Sequence, residues 1–208
     1  MDLGELRRAG SGFVFGLVAS FISGPAHQAE ALDFSADRIV KNGKSVVKSH
    51  VNAKDDRWRF EFVQPQRGAS VIIVRVDRGT AWLIFSKQRL YLEEPIANVD
   101  RLAVSEKMPG EISREFVGDE MLNGYPTELF EVTVAGEEET RQYYRWVTKV
   151  QRFPMKTVSK QGEWSEEFHR LVFTEQSRFL FELPRRLDPA HPPANMQPTS
   201  NNECCRRD

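Results

Sequence analysis

The six residues Arg57-Trp58-Arg59-Phe60-Glu61-Phe62 alternate strictly between charged and aromatic side chains. Successive side chains on a strand point to opposite faces, so Trp58, Phe60 and Phe62 share one face and Arg57, Arg59 and Glu61 the other. A helix would scatter the three rings around its circumference. The segment therefore reads as a strand in a sheet with one dry side and one wet side, an asymmetry that antiparallel sheets accommodate.

The rest of the chain repeats the theme. Short runs rich in β-branched and aromatic residues span 34–40, 45–51, 69–76, 80–85 and 89–93, and again 111–118, 128–134, 141–147, 154–160 and 164–173. Turn signals separate them, among them Asn42-Gly43, Asp55-Asp56, Asp77-Arg78-Gly79, Asn123-Gly124-Tyr125-Pro126 and Gln161-Gly162. Such spacing, with no internal repeat and no crossover helices, predicts an antiparallel meander of about eleven strands. Phe153-Pro154 places the start of its run at an edge. The runs at 69–76 and 80–85 are apolar on both faces, so helices, loops or a ligand must cover the second face. Residues 94–110 are only loosely periodic and read as a short helix, a lid or a surface connection. Residues 177–183 form a short docking segment. From Asp188 the chain is rich in Pro, Asn and Ser, and 188–208 is expected to be disordered.

Residues 1–31 read as a signal peptide. Arg7 and Arg8 form a positive start, 13–22 an apolar run, and Ala29-Glu30-Ala31 a small-x-small cleavage pattern. The run is shorter than the roughly 20 residues that span a bilayer, although an uncleaved anchor is the alternative reading. Cleavage removes two basic and three acidic residues from a chain holding 29 and 30, which leaves a neutral mature protein. A nucleic-acid binder shows a basic excess or face, and none is present. Cys204 and Cys205 lie in the terminal tail and cannot staple the body. They read as incidental thiols, with metal binding or lipid modification the other possibilities.

Catalytic constellations do not emerge. His27 falls in the signal peptide and His191 in the tail, while His50 and His169 stand alone on presumed strands. There is no metal-ligand spacing, nucleophile elbow, phosphate loop or dinucleotide glycine pattern. The acidic pairs Asp55-Asp56, Glu93-Glu94 and Glu166-Glu167 are adjacent in sequence, so on strands they point apart. The chain is therefore expected not to be an enzyme and to hold no metal.

What remains is an aromatic excess. Trp58, Trp82, Trp146 and Trp164 lie on separate strands, with Tyr91, Tyr143 and Tyr144 nearby. Core packing explains any one of them. Together they need more covering surface than a helix-free chain supplies, which points to a ligand cavity. Trp58, Phe60, Phe62, Trp82, Ile84, Phe130, Val132, Tyr144 and Trp146 are the predicted ligand contacts. A charge placed at Phe60 or Trp82 is expected to abolish binding.

Residues 33–184 also resemble the outer-membrane lipoprotein carrier superfamily, more closely an uncharacterised secreted branch of it. The carrying residues are Phe34-Ser35-Ala36-Asp37, Arg57-Trp58-Arg59-Phe60, Asp77-Arg78-Gly79-Thr80-Ala81-Trp82 and Tyr91-Leu92-Glu93-Glu94-Pro95. They continue through Gly118, Asn123-Gly124-Tyr125-Pro126, Tyr144-Arg145-Trp146, Phe153-Pro154-Met155-Lys156 and Phe181-Glu182-Leu183-Pro184. The resemblance implies a mainly β, strongly curved, unclosed antiparallel barrel over 32–187 with short lid helices. It also implies a hydrophobic cavity for acyl chains, a periplasmic location and no cofactor. The predicted mature chain departs from the carrier in starting almost directly at Phe34, without a preceding amphipathic helix. It also has Lys54-Asp55-Asp56-Arg57 where the carrier has an arginine beside a proline, so no lid-gating role is assigned.

Two functions follow as expectations. The first is a monomeric periplasmic carrier or binder of a lipophilic ligand, the acyl chain of a lipid or lipoprotein. The second is a non-enzymatic envelope sensor or scaffold acting through contacts with an inner- or outer-membrane protein.

Overall fold

The computed structural model describes residues 32–99, 102, 104–136 and 139–190. The signal-peptide reading of 1–31, with His27, and the tail readings on 191–208, with His191, Cys204 and Cys205, lie outside the described residues.

Twelve strands form one sheet. In chain order they are β1 (Phe34–Asn42), β2 (Ser45–Lys54), β3 (Arg57–Gln66), β4 (Ala69–Arg75), β5 (Thr80–Phe85), β6 (Leu90–Pro95), β7 (Glu111–Leu122), β8 (Tyr125–Val134), β9 (Arg141–Thr148), β10 (Pro154–Ser159), β11 (Trp164–Phe173) and β12 (Asp188–Pro189). Their lateral order is β12-β6-β5-β4-β3-β2-β1-β11-β10-β9-β8-β7, so two meanders meet where β1 pairs with β11. Every pairing is antiparallel except the two-residue parallel bridge of β12 to β6. β7 and β6 do not meet, and the sheet is curved and unclosed, as expected.

Several details differ from expectation. β10 lies between β9 and β11, so Pro154 opens an inner strand and not an edge; as the first residue of the strand it is still a place where a missing N–H is tolerated. β12 begins at Asp188, so ordered pairing runs past the expected start of the tail. Three 3-10 turns, Val76–Arg78, Ile96–Asn98 and Arg178–Phe181, stand in place of the lid helices, and the described residues contain no α-helix. The turn after β7 uses only Asn123-Gly124. Both residues have positive φ (51° and 84°), as a two-residue hairpin loop of type I′ requires. The flanking strands therefore run up to Leu122 and back from Tyr125, which the expected four-residue turn had cut short.

Register assigns every side chain to a face. On the inner face Phe34, Ala36, Arg38 and Val40 of β1 oppose Ala53, Val51, Ser49 and Val47 of β2. Arg38 and Val40 also oppose Phe168 and Glu166 of β11. Trp58, Phe60 and Phe62 continue this face across β3. The sheet curls around Phe34, Phe153 and Phe168, which are fully or almost fully buried. Phe34 and Phe153 meet edge-on at 4.8 Å between centroids, and Phe153 and Phe168 at 5.0 Å, a geometry favoured by the ring quadrupoles. Ile96, Val99, Leu102 and Val104 pack onto this core from the connection between β6 and β7.

The second apolar face of β4 and β5 is covered by the chain itself. Ile73, Trp82 and Ile84 lie on the outer face under Leu180, Phe181, Leu183 and Leu187. Arg75 fastens this cover. Its side chain is 3% exposed, and its guanidinium bonds both oxygens of Asp77 at 2.8 and 2.7 Å and reaches Glu182 at 2.7 Å.

Candidate functional site

The inner face carries two adjoining depressions. The smaller is mainly apolar, has a volume of about 290 Å³, and is lined by Val40, Val47, Phe60, Phe62, Ile72 and Val99 together with Arg38, Gln66 and Arg67. The larger is an open polar trough of about 1530 Å³ over β1, β9, β10 and β11, bordered by Arg38, Val40, Tyr143, Arg145, Trp164 and Glu166 among others. Arg38 and Val40 belong to both.

Arg38 marks the seam. Its guanidinium carbon lies 5.6 Å from the centre of the Phe60 ring, and its Nε donates to Glu166 at 2.6 Å. Phe60 and Phe62 lie nearly parallel, 13° apart with centroids at 6.2 Å. Glu166 thus holds the cation over an aromatic wall that belongs to the apolar pocket. Ser49, opposite both Arg38 and Phe62 in register, has a buried hydroxyl with no hydrogen bond among the described residues. A buried hydroxyl without a partner is costly, and Ser49 lines neither depression.

A strap, residues 104–110 with Leu102 before it, lies on the inner face of β7–β9 and borders the trough with Met108 and Pro109. Arg145, 2% exposed, donates to the carbonyls of Ser105 and Glu106 at 2.6 and 3.3 Å and to Thr157 at 2.9 Å. Burial lowers its pKa to about 10, so it stays charged at neutral pH. Glu106 accepts from Arg152 at 2.6 Å, and Arg114 donates to Glu111 at 2.8 Å and to the Glu106 carbonyl at 2.7 Å. The Arg152 hydrogen bond holds the Glu106 carboxyl below its ordinary range. Burial would raise Glu111, but hydrogen bonds from Arg114 and the Met108 N–H outweigh it and leave it lowered. The predicted lid is therefore a clamped strap.

The nine predicted contacts separate. Phe60 and Phe62 line the apolar pocket. Trp58 packs against the main core on the same face. Phe130 and Val132 are also on the inner face, but they are packed with Val147 and Met108 at the strap. Trp82 and Ile84 lie on the outer face under the C-terminal segment, and Tyr144 and Trp146 lie on the outer face of β9. Lys160 and Lys156 sit over their rings at 5.1 and 5.3 Å. Aromatic identity alone could not assign a face; register does. Arg38 and Glu166 were missed, yet they had a signal. Each continues an alternation on its strand, Phe34-Ala36-Arg38-Val40 and Trp164-Glu166-Phe168, that places a charge on the dry side.

His50 and His169 do not stand alone. Both oppose Asp37 on the outer face, and His50 Nδ1 lies 3.0 Å from its carboxylate. Burial would raise the Asp37 pKa, but hydrogen bonds from His50 and Arg170 hold it low. No group of side chains among the described residues is arranged to hold a metal ion.

No protein-family model and no curated protein matches the sequence. Solved structures do match in fold. MucB is similar at a TM-score of 0.54 and 13% identity, with 77% of this chain and 61% of that one covered. A MucA/MucB complex from Pseudomonas aeruginosa matches at 0.52 and 14%, over 77% and 59%. A putative outer membrane lipoprotein-sorting protein domain from Vibrio parahaemolyticus matches at 0.32 and 13%, over 72% and 88%. The chain thus spans about three-fifths of the length of the MucB chains it matches, and shares with them a fold at very low sequence identity.

Proposed function

We propose that this chain is a non-catalytic periplasmic binding protein for an amphiphile with one aliphatic chain and a polar head. One observation carries the reading: the apolar pocket of Phe60, Phe62 and Ile72 shares its Arg38 and Val40 wall with a larger polar trough. The aliphatic chain takes the pocket, and the head lies in the trough within reach of Arg38. The pocket's 290 Å³ falls just below the roughly 300–1,000 Å³ of small-molecule sites, so it suits one chain and not several. At about 0.8 kcal/mol per buried methylene, some eight methylenes would contribute on the order of 6 kcal/mol before the cost of immobilisation. The periplasmic location rests on the signal-peptide reading of 1–31.

The second reading, a sensor acting through protein contacts, draws its support from the fold shared with MucB, which has been solved in complex with MucA. The two are compatible, because the amphiphile site occupies only part of the inner face.

The test is native mass spectrometry of the protein from its own periplasm, together with titration by a fluorescent fatty acid. A bound acyl species is expected. Phe62→Asp, in the pocket wall, should weaken binding at least about tenfold, since it sets a charge against the aliphatic chain. Tyr144→Asp, on the outer face, should leave it unchanged. Equal binding by wild type and Phe62→Asp would overturn the reading.

A further inference from the structure

The two edges of the sheet are finished differently. β6 is bridged by the chain's own Asp188–Pro189, with Asp188 N donating to the Arg89 carbonyl at 3.0 Å and Ala190 N to the Tyr91 carbonyl at 2.7 Å. β7, at the opposite edge, pairs only with β8 among the described strands, although at twelve residues it is the longest of them. An edge strand presents outward a row of backbone N–H and C=O groups that can template another strand. Proteins blunt such edges with lysine, proline, brevity or bulges. β7 contains no lysine and no proline. It has two bulges, at Ile112 and Val117, which leave pairing stretches at 113–116 and 118–122. An edge so interrupted resists open-ended stacking while still admitting a short segment.

The side chains of this edge are also unusual. Ile112, Phe116, Val117 and Met121 are 61%, 55%, 52% and 64% exposed, four of the nine large exposed apolar side chains among the described residues. Phe116 is braced edge-on against Phe130, so its ring is presented by a fixed neighbour. Exposed charge on β7 is acidic: Glu115, Asp119 and Glu120. Its one cation, Arg114, turns inward and is taken by Glu111 and Glu106. Asp119 has Lys149 and Glu120 has Trp146 as partners, whereas Glu115 has no ion pair among the described residues.

We propose that β7 is a docking edge on which an extended segment of a partner protein, rich in alternating basic and apolar residues, adds as a further strand. The backbone row supplies affinity, the four apolar side chains supply contact area, and the acidic residues select a basic partner. A second copy of this chain is the wrong occupant. Antiparallel self-pairing would bring Glu115, Asp119 and Glu120 of both copies to one seam, and like charges set opposite each other across strands are destabilising. The amphiphile site plays no part in this docking, so either assignment can fail without the other.

The experiment uses the full mature chain and three labelled peptides of about twelve residues, the length of β7. One alternates lysine with valine, one alternates glutamate with valine, and one has prolines at alternate positions of the lysine–valine sequence. Binding is read by anisotropy and the site by amide hydrogen exchange. The lysine–valine peptide is expected to bind and slow exchange within 113–122. The glutamate peptide should bind at least about tenfold more weakly, and the double variant Glu115→Lys, Glu120→Lys should narrow that gap. The proline peptide, which lacks ladder donors, should not protect β7. Absence of lysine–valine binding, protection confined to the polar trough, equal binding of the proline peptide, or a dimer in which β7 is already protected would each overturn the proposal.

Discussion

Arg75 shows how one side chain can hold down an element it does not belong to. Its position on the outer face of β4 would ordinarily be solvated, yet it is covered by the C-terminal segment and neutralised by Asp77 and Glu182. The Arg75 hydrogen bond keeps the Asp77 carboxyl below its usual range. Arg75→Met keeps the bulk and removes the charge. Because both carboxylates reach solvent, the loss is expected to follow that of a charged hydrogen bond, about 1.5–3 kcal/mol by urea titration. Amide exchange across 177–187 should speed up as the cover loosens. A stability change below about 0.5 kcal/mol, the ordinary scatter of surface substitutions, would show that Arg75 does not fasten the cover. At this scale the sequence was legible where alternation was strict, as at Trp58, Phe60 and Phe62. It misled where both faces of a strand are apolar. Trp82 and Ile84 look as ligand-facing as Phe60 in sequence, but they serve a second core that exists only because residues 178–187 return over β4 and β5. Nothing local to Trp82 encodes that return.

The strap is the element whose behaviour the sequence least disclosed. Its apolar residues Leu102 and Val104 were visible, but the arginines that clamp it come from β7, from β9 and from Arg152 beyond it, up to 46 residues away. Such long-range ion pairs leave no periodic trace. The clamp carries a pH dependence whose sign can be worked out. Glu106 and Glu111 both titrate below their ordinary value of 4.5 in the folded chain. A carboxylate with a depressed folded pKa contributes stability that is complete above its unfolded pKa and lost as pH falls through the folded one. The strap should therefore be fully clamped at neutral pH and release progressively below about pH 4.5. Amide exchange of 104–110, corrected for the intrinsic rate, should rise over that window relative to β4 and β5. Glu106→Gln should raise it at neutral pH and flatten part of its acid dependence. A strap as well protected at pH 3.5 as at pH 7 would mean that the ion pairs do not hold it.

In the whole molecule, two meanders are made one by a single seam. β1 opens the described sheet and β11 closes its second half, and their pairing joins 34–42 to 164–173 across more than a hundred intervening residues. The short runs and turns that build each meander are local and were readable from the chain. The seam was not, because antiparallel hairpins fix only neighbours, and the meeting of β1 with β11 is set by global packing. That packing is the cluster of Phe34 from β1, Phe168 and Phe173 from β11, and Phe153 between them. If the cluster is what makes the sheet one cooperative unit, damage to it must be felt equally at both ends. Phe168→Ala removes a fully buried ring and is expected to cost about 3–5 kcal/mol. Two single-tryptophan backgrounds report separately, one keeping Trp58 on β3 and the other Trp146 on β9. In each, the urea midpoint should fall by the same amount, with the two transitions superimposed before and after the change. Should the β9 reporter shift while the β3 reporter stays, the halves fold as separate units, and the phenylalanine cluster belongs to one of them and is not the bond between them.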